Sequence, residues 1–72
     1  MSRRLTHTAH PRTNRRGQEV TARVYWDSDL QVFEVVPVVD GYPHLLGTYE
    51  TDDRDDALAT AAAMVVDQSN RP

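Results

Sequence analysis

The sequence predicts an α+β fold in which a three-stranded antiparallel meander packs on one C-terminal helix, behind a disordered arginine-rich N-terminal arm. Three observations lead there. Val20, Ala22, Val24 and Trp26 alternate with Glu19, Thr21, Arg23 and Tyr25, the two-residue rhythm of a strand with one buried face. Asp40-Gly41 sits between two β-rich runs, and both residue types tolerate positive φ, as a type I′ hairpin turn requires. Ala57, Leu58, Ala61, Ala62 and Val65 recur at intervals of three and four, the stripe of an amphipathic helix.

Taken in order, residues 1–18 show no period of 2 or 3.6 and carry Leu5 as their only large aliphatic after the start, so they are expected to be disordered. The folded domain is placed at 19–68. Asp27-Ser28-Asp29-Leu30 breaks the first strand, since short polar side chains bond their own backbone in turns, and Gln31 to Val39 supplies a second, β-branched strand. Tyr42 to Glu50 returns as the third. Pro37 cannot donate to a ladder, so the first strand is expected to end or bulge beside it. The helix is expected from about Asp53 to Gln68 with Thr51 or Asp52 as its cap, acids in its first turn offsetting the dipole, and residues 69–72 frayed.

Closing the hairpins with Val39 opposite Tyr42 and Trp26 opposite Gln31 sorts the side chains. Val20, Ala22, Val24, Trp26, Phe33, Val35, Val39 and Leu46 fall on the helix side. Thr21, Arg23, Tyr25, Val32, Glu34, Val36, Val38, Leu45 and Tyr49 fall on the reverse side, where Arg23 faces Glu34 in a cross-strand pair contributing ~0.2–1 kcal/mol. One helix covers one side of such a sheet. Tyr25, Val32, Val36, Leu45 and Tyr49 are therefore expected to form an uncovered patch that docks a protein partner or a second copy of the chain.

Charge is divided along the chain. All eight basic residues are arginines, and five of them (Arg3, Arg4, Arg12, Arg15 and Arg16) lie in the first eighteen residues, which hold no acid; the rest carries a charge of −8 within an overall −3. Such an arm can neutralise nucleic-acid phosphates without reading sequence, with a log–log salt slope of roughly −4 to −5 for five contacts. Arginines can also enter a narrow minor groove. The opposing possibility lies at the helix start, where Asp52, Asp53, Asp55 and Asp56 could imitate a row of phosphates in an inhibitor of a nucleic-acid-binding partner.

Residues 46–63, Leu-Gly-Thr-Tyr-Glu-Thr followed by acids and an alanine-rich helix, resemble the end of the AP2-like DNA-binding domain and of the N-terminal arm-binding domains of tyrosine-type integrases. There a strand of the form LGTF(D/E)T leads into a helix beginning with acids and alanines. The resemblance implies the strand-strand-strand-helix order and a sheet face that reads the major groove. Arg23, Tyr25 and Tyr49 are the positions it marks, although Arg23 stands beside Glu34 here and two extra residues separate Thr51 from the alanine run.

No catalytic constellation emerges. The three glycines are too far apart for a phosphate loop, and the chain has no cysteine for a disulfide or a thiolate site. His7 and His10 lie in a segment without a predicted helix to bring both rings to one metal, and His44 has no evident partner for general-base work. No enzyme activity, metal, cofactor or small-molecule substrate is expected. No apolar run follows the N-terminal arginines and none approaches the eighteen residues of a membrane span, so a cytoplasmic setting is expected. The sequence thus reads as a small non-enzymatic binding module, arginine-rich as in a GC-rich genome and of the kind that phages or other mobile elements encode.

Overall fold

The structure, a computed structural model, describes residues 3–70. The element order is β1 (Arg3–Thr8), β2 (Arg12–Thr13), β3 (Glu19–Asp27), β4 (Val32–Val39), β5 (Tyr42–Pro43), a 3₁₀ turn (Leu45–Gly47), β6 (Tyr49–Thr51) and α1 (Arg54–Ser69). The α+β class and the antiparallel sheet on one C-terminal helix agree with the sequence. Among the described residues, however, the sheet has six strands rather than three.

The correction begins in the N-terminal segment. Residues 3–13 form an ordered outer ribbon instead of a disordered arm: β1 pairs with β3 from Arg3↔Asp27 to Thr8↔Arg23, and β2 continues at Arg12↔Val20. Ala9 bridges the two pieces, its N–H donating to the Ala22 carbonyl at 2.8 Å. The ribbon turns back at Asn14, whose side-chain oxygen accepts from the N–H groups of Arg16 and Gln18, while Gly17 takes the positive φ of 80°. Every side chain of β1 is exposed, so it left no apolar rhythm to read; its pairing rests on backbone hydrogen bonds, the bond from Thr6 Oγ1 to the Val24 carbonyl and the reach of Arg3 to Glu34.

The β3–β4 hairpin closes at Asp27↔Val32, which shifts the expected register by two residues. Asp27 Oδ1 accepts from the N–H groups of Asp29 and Leu30, and Gln31 takes a φ of 56°, making a four-residue turn without glycine. An even shift preserves the faces, so Val20, Ala22, Val24, Trp26, Phe33 and Val35 keep the helix side. It does move the partners: Glu34 faces Tyr25, and Arg23 faces Val36.

Asp40 and Gly41 both take positive φ, the backbone of the expected turn, and Val39 faces Tyr42. Asp40 also fastens the sheet, because its Oδ1 accepts from the Glu19 N–H. The first strand neither ends nor bulges at Pro37; β3 runs straight past it with Ala22 opposite. The break falls in the third ribbon instead. The Pro37 carbonyl accepts from His44 on that side, and since N–H and C=O of one strand residue point the same way, the missing donor faces the third ribbon too. There the 3₁₀ turn separates β5 from β6.

That insertion flips the last strand. Val38 pairs with Pro43 but Val35 pairs with Tyr49, a displacement of three residues, so Tyr49 passes to the helix side.

Helix α1 starts one residue later than expected because Asp53, rather than Thr51 or Asp52, is the cap, accepting from the N–H groups of Asp55 and Asp56. Ala57, Ala61 and Val65 pack on Ala9, Ala22, Val24 and Val35, with Phe33, Leu58 and Met64 at the margin. The small alanine side chains allow the helix axis to approach the sheet closely. Ser69 is buried and hydrogen-bonds the Val66 carbonyl, so it belongs to the helix and is not frayed; Arg71 and Pro72 lie outside the described residues.

Candidate functional site

The expected apolar patch on the reverse side is only partly there. Val36 is 1% exposed and so has no surface to offer a partner, and neighbouring Val38 and Thr21 are buried as well. Tyr25 and Val32 are half-buried. Over Tyr25 lies the Arg3 guanidinium, 4.2 Å from the ring centroid, which reaches across β3 to pair with Glu34. Tyr49 lies on the other side of the sheet, its hydroxyl donating to Asp56 Oδ2 at 2.7 Å. That hydrogen bond, and the carboxylate charge beside it, raise the Tyr49 pKa above its ordinary value.

Leu45 is exposed, as a docking residue must be, but on the 3₁₀ turn rather than on the sheet. It has company that the sequence did not reveal. Tyr42 is 74% exposed, Leu45 67%, and Leu46, expected on the helix side, is fully exposed. The signal for them was Pro37, whose missing donor breaks the third ribbon where these side chains lie.

The arginines fare differently. Arg3 is taken up by Glu34 and Tyr25, whereas Arg4, Arg12, Arg15 and Arg16 are exposed and have no ion-pair partner among the described residues. Arg4 pairs with Trp26 and Arg12 with Val20, which puts both on the helix side of the outer ribbon. Between that ribbon and α1 runs a groove of about 400 Å³, lined by His7, His10 and Arg12 on one wall and Leu58, Ala62 and Val66 on the other. Arg23, marked by the resemblance to DNA-reading sheets, is half-buried on the reverse side.

Among the four helix-start acids, Asp53 is used as the cap and Asp56 receives Tyr49, which leaves Asp52 and Asp55 more nearly free. No helix among the described residues is long and apolar enough to cross a membrane. Neither protein-family models, nor curated proteins, nor solved structures match this chain.

Proposed function

We propose that this chain is a non-enzymatic docking module that engages a protein partner through the apolar turn between β5 and β6. The observation that carries the reading is the grouping of Tyr42, Leu45 and Leu46, three large apolar side chains projecting within five residues of one another. Burying each against a partner would stabilise a complex by roughly 1.5–3 kcal/mol before ordering costs, so three such side chains along one short stretch supply the apolar area that a contact needs. Tyr25 and Val32, half-buried on the sheet, contribute less than their residue types promise.

Phosphate contact through the N-terminal arginines is the weaker reading. Four guanidinium groups without an ion-pair partner among the described residues act from a body whose remaining charge is strongly negative, and the groove that Arg12 borders has an apolar wall that a nucleic-acid backbone does not match. Phosphate mimicry is weaker still, because half of the proposed carboxylate row already serves the fold.

The test is light scattering after size-exclusion chromatography, together with a photo-crosslinking residue placed at position 46 in cells. A dimer that Leu46→Glu converts to monomer identifies a second copy as the partner. A monomer that gives one discrete adduct, abolished by Tyr42→Ser, identifies a different protein. A monomer with no adduct overturns the reading.

A further inference from the structure

We propose that the groove between residues 7–12 of the outer ribbon and α1 holds an extended segment of a protein partner, apolar in its middle and acidic at both ends. The proposal shares with the docking-module reading only the premise that the partner is a protein; the surface is a different one.

The first support is the free sheet edge. Among the described residues β1 pairs with β3 alone and ends the strand order, so its outer backbone groups are open to an added strand. The second is the helix placement. α1 lies across β3 and β4 and meets the outer ribbon at Ala9 and β2, which leaves a groove along residues 7–12. Leu58, Ala62 and Val66 recur every four residues along that flank, and no charged residue occurs from Ala57 to Val66. An added strand would lay alternate side chains against this ridge.

Charge selects the occupant. On the helix side of the outer ribbon Arg12 borders the groove at one end, with His7 and His10 beside it, and Arg4 stands beyond the other end, where it lines an adjoining hollow with Asp52 and Arg54. Two copies joined edge to edge through the outer ribbon would bring these like charges together. Carboxylates opposite Arg4 and Arg12, with apolar side chains opposite His7 and Ala9, satisfy both walls. The edge thus rejects itself and accepts an acidic strand.

The probe is a fluorescein-labelled seven-residue peptide with Asp at both ends, Val at the third and fifth positions and Thr between, titrated into the full chain and read by anisotropy. Binding is expected to weaken at least tenfold when the valines become serines, and again when Ala62, which is exposed, is changed to Glu. Arg12→Glu should reverse the preference toward a peptide ending in Lys. Leu46→Glu should change nothing. Equal affinity for the serine peptide, preference for a labelled DNA duplex, or no binding by protein with a native circular dichroism spectrum would each overturn the groove site. A persistent adduct at position 46 alongside any of these would leave the docking-module reading intact.

Discussion

Arg3 and Glu34 meet across an intervening strand: Arg3 Nε stands 2.6 Å from Glu34 Oε1, with the guanidinium passing over Tyr25. Glu34 Oε1 is buried and accepts no hydrogen bond of good geometry among the described residues, so the guanidinium charge is its main compensation. Arg3→Ala should cost about 1–2 kcal/mol by leaving that oxygen unpaired and uncovering Tyr25. Thermal unfolding would register this as a drop of roughly 4–8 °C per kcal/mol in a domain of this size. Arg3→Lys should restore only part of it, because a point charge does not stack.

Removal of residues 1–8 deletes the β1 ladder and exposes the flank of β3. Urea unfolding of the shortened chain should show both a lower midpoint and a smaller m-value, since less surface is buried on folding. A free tail would leave both unchanged. Charge reversal at Arg12 or Arg15 is consequently the cleaner probe of the cationic edge.

Tyr49 has its pKa raised by the hydrogen bond to Asp56 and by that carboxylate's charge, so folding favours the neutral phenol. The sign follows directly: the contribution is complete below the ordinary tyrosine value near 10 and disappears as pH rises through the higher folded value. Tyr49→Phe should abolish this alkaline dependence. Absorbance titration of phenolate should lose one tyrosine that ionises later than a free one.

Asp53→Ala removes the cap that accepts from Asp55 and Asp56, and should cost about 1 kcal/mol in chemical denaturation. Asp53→Asn should recover most of it.

Gly41 holds a φ of 82° with open space around it, so Gly41→Ala meets backbone strain and no clash. A loss of about 1 kcal/mol is expected. Gly47 has no such φ, but a Cβ there would come within 3.0 Å of Pro37 Cγ.

What could be read in the sequence were features with a local cause. Asp40-Gly41 demanded its turn, the alternation from Val20 to Trp26 demanded a strand with its helix side correctly assigned, and the alanine spacing demanded a helix. Three things had no local cause. The β3–β4 register depended on Asp27 bonding two amides and on Gln31 accepting a left-handed backbone, which residue type alone does not announce. Tyr49 changed sides because a 3₁₀ turn several residues earlier displaced the ladder by an odd number. The outer ribbon went unseen because an edge strand with every side chain in water has the composition of a tail. The groove, built from that ribbon and α1, went unseen with it.

The ladders join ribbons that follow one another along the chain, residues 3–13 with β3, β3 with β4, and β4 with β5 and β6, before α1 folds over them. Assembly therefore requires closure of short turns and no long crossover, so the entropy of bringing partners together stays small at each stage. Refolding should be rapid for a sheet protein, with the β3–β4 hairpin as the template on which both neighbouring ribbons condense.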